Sequence, residues 1–158
     1  TDDKFVEGEA SIIEISGVYK KYHCPMARTV LLGKPDQKKI DTMKKTREAL
    51  QAGIDVTKPG NTADDVAQAF WKVLDKYGIE KKSRTGYSIG IGYPPDWGEH
   101  TLNIQKGDKT VLQKNVCFHM IAVMQFGEWG VESSESIRVS ENGAENFYKF
   151  PDELYIKG

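Results

Sequence analysis

Apolar positions along this chain switch between the two-residue period of a strand and the 3.6-residue period of a helix, dividing it into strands, a helical pair and strands again. Glu9 to Ser16 carries Ile12, Ile13 and Ile15, the β-branched density of a buried strand; Gly17 offers a turn, and Tyr19 to Leu32 reads as the return strand. Gly33, Lys34, Pro35 and Asp36 stop it. From Gln37 to about Ile54 the residues Ile40, Met43, Leu50 and Ile54 recur at helical intervals, with Ala49 beside them, and predict one amphipathic helix. Pro59 and Gly60 break the chain. Thr62, with Asp65 three residues on, then caps a second stripe of Val66, Phe70, Val73, Leu74 and Tyr77 that ends at Gly78. Strands are expected over about Thr85 to Gly92, Val116 to Val123 and Val131 to Val139, with a turn at Glu141, Asn142 and Gly143. Strands, two helices and strands predict an α+β fold with a curved, mainly antiparallel sheet and two amphipathic helices.

Composition narrows the partners more than the fold. The 158 residues, 39% of them apolar, suffice for one domain with its own core. A net charge of -1 arises from 22 basic and 23 acidic residues that are well mixed, so no field favours nucleic acid or an anionic membrane, and neither is expected as a partner. Lys38, Lys39, Lys44 and Lys45 alternate with apolar positions as the wet face of a helix. No apolar run approaches the roughly 20 residues that cross a bilayer, and Thr1, Asp2, Asp3 and Lys4 lack the pattern of a signal peptide. Cys24 and Cys117 fit a reducing cytoplasm better than a disulfide scaffold, with a single bridge left open. A cytoplasmic protein is expected. A start at Thr1 that runs almost directly into strand-like sequence predicts that something preceded it.

Four segments carry a resemblance. They are RTGYSIGIG from Arg84 followed by YPPDWGEHT to Thr101; GEASIIEISGVYKKYHCPMARTVLLG from Gly8 to Gly33; Lys58-Pro59-Gly60 with Thr62 and Val66; and SENGAE from Ser140 to Glu145. Together they resemble the creatinase/prolidase/aminopeptidase P family of pita-bread fold, over nearly the whole chain. Within that family RTGYSIGIG and YPPDWGEHT most resemble ectoine hydrolase, which opens a cyclic amidine, while GAEN followed by Phe150-Pro151 is also similar to creatinase. The resemblance implies that residues 1–158 are the C-terminal portion of a pita-bread catalytic domain. The N-terminal domain and the start of the catalytic domain would then be absent from this chain, together with a proton-transferring His that creatinase-like members place just ahead of the first hairpin. It also implies an N-terminal part of the same precursor as partner, covering an otherwise open sheet edge, and a homodimer of the assembled unit.

Family members that use two metals supply two Asp from the first hairpin, a His from the glycine-rich strand and two Glu from the last strands, because hard divalent ions need bridging carboxylates. Here those positions hold Glu14, Pro25, Tyr87, the neighbourhood of Met120 and Ile121, and Ser134, next to Glu135. One plausible ligand is left. His23, His100, His119 and Cys24 show no zinc spacing. The resemblance therefore implies the metal-independent branch, with no metal and no other cofactor.

A creatine guanidinium or an ectoine amidinium is a planar cation whose central carbon is already electrophilic, and carboxylates can orient it through charge-assisted hydrogen bonds. By the resemblance, Glu14, Glu132 and Glu135 sit on strands that face the former metal pocket. Glu14 and Glu135 are the catalytic candidates, since a carboxyl with a raised pKa can move protons or attack the carbon. Substrate-binding candidates are Glu132, Tyr87, His100, His23 and Trp97. Tyr87 would donate a hydrogen bond, His100 would follow a Pro-Pro-Asp-Trp loop acting as lid or wall, His23 would lie with Cys24 beside the lost second Asp, and Trp97 would cover a cation with its ring face. Arg28 and Arg84 are candidate grips for a substrate carboxylate. For each residue an ordinary packed, solvated or salt-bridged role is the alternative. The expected function is hydrolysis of a non-peptide C–N bond in a small cyclic amidine or guanidino acid. An Xaa-Pro dipeptidase or aminopeptidase and a non-catalytic binding scaffold stand as alternatives.

Overall fold

Two lysines, not the glycine, turn the first hairpin. β1 (Ala10–Tyr19) runs straight through Gly17, which lies opposite Cys24, and the chain reverses at Lys20 and Lys21, whose φ angles of 48° and 71° give the twist that suits a two-residue hairpin, before β2 (Tyr22–Leu32) returns. The structure is a computed structural model describing residues 4–34, 36–93 and 95–158. Thr1, Asp2, Asp3 and the prolines at 35 and 94, which belong to the expected strand stop and loop, lie outside the described residues.

Asp36 caps α1 (Gln37–Asp55) by accepting the Lys39 N–H at 2.8 Å. Thr62 and Asp65 form a reciprocal capping box on α2 (Ala63–Lys76). Then follow β3 (Gly86–Tyr93), β4 (Asp96–Ile104), β5 (Cys117–Phe126), β6 (Trp129–Ser140), β7 (Gly143–Asn146) and β8 (Tyr155–Lys157). Among the described residues the strands make one sheet ordered β1-β2-β3-β5-β6-β7, with β4 paired to β3 and β8 running parallel to β2. Every other pairing is antiparallel.

The helices cover one face of that sheet. Met43, Leu50, Val66, Phe70 and Leu74 pack there against Phe118, Met120, Met124 and Ile137. In β5 the even positions enter this core, so His119, Ile121 and Val123 point to the opposite face. Gly86 is required where β3 lies between β4 and β5, because a Cβ there would stand 2.9 Å from the His119 carbonyl oxygen and from Ile104 Cγ1. β1 departs from the expected buried strand: Ile12, Ile13 and Ile15 are exposed, since β1 is an end strand of the sheet whose partner is β2.

The sheet curls on itself. β2 and β3 share a single paired position, Tyr22 with Ile91, and then diverge, so that the far part of β2 lies across β6. Side chains close the gap: Ser134 Oγ accepts the Ala27 N–H at 2.7 Å, Ser136 Oγ donates to the Pro25 carbonyl at 2.6 Å, and Thr29 Oγ1 donates to the Glu132 carbonyl at 2.8 Å while accepting the Glu132 N–H at 2.7 Å. Arg28 reaches across to the Ser134 carbonyl at 2.6 Å and to Glu135 Oε1 at 2.6 Å, with both charged groups buried. No described helix is long and apolar enough to cross a membrane.

Removing one member of a buried ion pair strands its partner. Arg28→Met in the full-length protein is expected to lower unfolding free energy by about 3–5 kcal/mol, measured from denaturant midpoints. A loss below about 1 kcal/mol would mean that the pair contributes no more than a surface bridge.

Candidate functional site

On the face turned away from the helices, a pocket of about 420 Å³ is lined by Glu14, Arg84, Tyr87, Trp97 and Glu132 over a floor of Ile121 and Val123. Strand register assembles it. Glu14 stands opposite Ala27, Tyr87 opposite His119, Ile121 opposite Ser134 and Val123 opposite Glu132. Because β2 crosses β6, the first of these pairs arrives beside the last, and an acid from the first hairpin faces an acid from the last long hairpin.

The electrostatics follow from that meeting. Burial first, and then the neighbouring Glu14, push the Glu132 carboxyl up to about 7 against the opposing charge of Lys81. Glu14 itself is raised by partial burial. Lys81 is brought down to about 8 by burial, with Glu132 pulling the other way. Arg84 lies over the Tyr87 ring, 4.7 Å from its centroid, and donates to Asn103 Oδ1 at 2.5 Å, so its partners are neutral.

Behind Tyr87 a relay runs from the half-buried Trp97 into the buried interior. Trp97 Nε1–H donates to Tyr87 Oη at 2.7 Å; Tyr87 Oη lies 2.9 Å from His119 Nδ1; His119 Nε2 lies 2.7 Å from Ser134 Oγ, which also takes the Ala27 N–H. His119 is fully buried, and that desolvation holds its pKa down at about 3, so the ring is neutral. Burial raises the Tyr87 phenol, opposed by the Trp97 hydrogen bond.

Of the residues expected at the site, Glu14, Glu132, Tyr87 and Trp97 come together, with Arg84. Glu135 does not. Strand alternation puts Glu132 and Ser134 on the pocket face and Glu135 on the helix face opposite Met120, where it is consumed by Arg28 and lines a cavity with Leu50 and Ile54. Arg28 is lost as a carboxylate grip for the same reason. His100 lies exposed on β4, with φ of 58° and Nε2 bonded to Asp96 Oδ2 at 2.6 Å, outside the pocket. Its segment, expected as a loop, is a strand from Asp96 onward. His23 is buried in a different cleft of about 670 Å³ that it shares with Cys24 and Cys117, both free thiols. His119, Ser134 and Lys81 had no expected role in this site. Counting in twos from Ile121 and Val123 marks His119 as pocket-facing once one of those is known to face it.

A metal does not fit the donor set. Of the five ligand positions only Glu14 offers a free carboxylate; Pro25 and Ile121 have no donor, and the oxygens of Tyr87 and Ser134 are occupied by N–H groups. Among the described residues no three His, Cys, Asp or Glu side chains converge as a ligand group.

Comparison with known proteins gives this site its context. Residues 1–141 match the model of metallopeptidase family M24. The ectoine hydrolase of Halomonas elongata is 43% identical over 157 residues, covering 99% of this chain and 39% of that protein. The dipeptidase PepE from Mycobacterium ulcerans superposes with a TM-score of 0.90 at 28% identity, over 99% of this chain and 42% of that one. The prolidase from Pyrococcus furiosus, at 21% identity and a TM-score of 0.88 over 96% of this chain and 44% of its own, shares the curled sheet and paired helices. The chain thus spans about two fifths of the length of these relatives. With the family model matched over most of its length and the pita-bread architecture in place, the chain belongs to metallopeptidase family M24.

Proposed function

We propose that this chain carries the acidic wall of a metal-independent C–N hydrolase site that takes a small cyclic amidine or guanidino acid, ectoine before creatine. The observation that carries the reading is the pair of carboxyls with raised pKa, Glu14 and Glu132, in one pocket where most of the family's ligand positions hold no ligand. A planar amidinium suits such a pair, because its N–H groups present two parallel donors and its charge ionises the acids that hold it. Trp97 offers a ring face to the cation, and Arg84, bonded to neutral partners, is free to meet a substrate carboxylate. Arg28 and Glu135 take no part.

In the reaction, a water oxygen bonds to the electrophilic carbon while Glu132, titrating near 7, takes its proton. The C–N bond then breaks, with its electron pair and a proton going to the departing nitrogen. In this reading the chain is the C-terminal portion of the catalytic domain, and further groups around the substrate come from sequence outside it. The relative named ectoine hydrolase, at 43% identity, supports the substrate class. Relatives named Xaa-Pro dipeptidase, such as the one from Pyrococcus furiosus at 24% identity, support a peptidase instead. The donor set argues against that choice.

Glu14→Gln in the full-length protein is expected to keep the fold and cut ectoine turnover at least about 100-fold, as followed by chromatography of the product. Wild-type rates in that variant would leave Glu14 structural. Elemental analysis is expected to find no stoichiometric metal, and chelators to leave the rate unchanged; two metal ions per chain would refute metal independence.

Glu132 sets a pH dependence of stability. Its folded pKa lies above the ordinary carboxyl value of 4.5, so the folded state binds the proton more tightly than the unfolded one. The stability this contributes is full below 4.5 and is lost as pH rises through about 7. Melting curves between those limits should fall more steeply for wild type than for Glu132→Gln, and parallel curves would refute the assignment.

A further inference from the structure

Donors and acceptors can be counted along the relay behind Tyr87. Ser134 Oγ receives the Ala27 N–H, so its own hydrogen must be given elsewhere. Among the described residues the acceptor it meets is His119 Nε2, at 2.7 Å. A buried hydroxyl left without an acceptor is penalised, so Nε2 is the bare nitrogen and, in a neutral ring, Nδ1 carries the hydrogen. Full burial keeps that ring neutral. Nδ1–H then points at Tyr87 Oη, 2.9 Å away, and the second lone-pair direction of the phenol is filled by Trp97 Nε1–H at 2.7 Å. With two donors on its oxygen, the phenol has no acceptor for its own hydrogen among the described residues, and the pocket of Glu14 and Glu132 is where that hydrogen can go. The opposite tautomer fails on the same count, because Nε2–H would meet an oxygen already holding an N–H and strand the serine hydrogen.

We propose that His119 is a positioning residue which, held in the Nδ1–H form by Ser134, commits the Tyr87 hydroxyl to donate into the pocket, where it is the acid that protonates the departing nitrogen. The role of acid rests on the C–N hydrolase reading; the tautomer does not. As the C–N bond breaks, its electron pair stays on nitrogen, which takes the Tyr87 proton. The phenolate left behind keeps its two N–H donors, and it recovers a proton from the one that the attacking water gave to Glu132. The two N–H groups are fixed before the reaction, so no donor has to reorient as charge develops on the oxygen.

The test reads ring nitrogens by ¹⁵N NMR in full-length protein with ¹⁵N-labelled histidines, His119 being assigned through His119→Gln. The expected spectrum shows His119 with protonated Nδ1 and bare Nε2 throughout pH 5–8. Ser134→Thr should keep that signature, and Ser134→Ala should shift it toward Nε2–H while kcat falls about tenfold with KM little changed. A wild-type Nε2–H ring or imidazolium, or an unchanged tautomer in a folded Ser134→Ala, would overturn the proposal, and the wild-type spectrum decides even if that variant does not fold. The expected tautomer in a protein that hydrolyses neither ectoine nor creatine would sink the hydrolase reading, and Tyr87 as its acid, while leaving the positioning by His119 in place.

Discussion

The structure depends on β2 lying across β6 without a backbone ladder between them. A strand that leaves its partner exposes N–H and C=O groups that must find other bonds. Here the hydroxyls of Thr29, Ser134 and Ser136 supply them at 2.6–2.8 Å. Such bonds contribute about 1 kcal/mol each on net, but they are buried together with the Arg28–Glu135 pair, and breaking one leaves its partner dry and unpaired.

That closure makes the pocket. Glu14 and Glu132 are far apart in sequence and on different hairpins, and they become neighbours because the β1–β2 hairpin is folded over β6. Two carboxyls sharing a partly dry pocket do not both ionise cheaply, so each raises the other's hold on its proton. Lys81, brought down by burial, and Arg84, tied to neutral groups, supply positive charge nearby without a close ion pair to either acid. The pocket therefore brings the anionic Glu14 and Glu132 together with the cationic Arg84, which suits the zwitterionic amidino acid proposed as substrate.

Most of the fold was legible because its signals are local. Both helices, the Thr62 cap of α2 and strands β3, β5 and β6 lie within a few residues of where periodicity and capping put them. The failures are those of context. Gly17 looked like a turn, yet a two-residue hairpin with both φ positive formed at Lys20 and Lys21, because the register that pairs Gly17 with Cys24 continues past the glycine. Ile12, Ile13 and Ile15 looked buried, and nothing local distinguishes an end strand from a central one. The segment from Asp96 reads as a loop and is a strand, since the two prolines before it mask a pairing with β3 that only tertiary structure reveals. Glu135 is different. Residues three apart on a strand point to opposite faces, so Glu132 and Glu135 could never both face one pocket, and strand periodicity alone was enough to separate them.

Ser134 shows why the relay was invisible from sequence. Read against the family it counts as a lost ligand, and His119 counts as one of three histidines without metal spacing. In the fold the serine oxygen is bound from both sides at once, by the Ala27 N–H that closes the sheet and by the imidazole that reaches Tyr87. Because the backbone N–H can only donate, it fixes the direction of every later hydrogen along the relay, from serine to histidine to phenol. The bond that holds β2 to β6 is thus also the one that decides which way Tyr87 faces its pocket, and the curl of the sheet and the polarity of the site share a single atom.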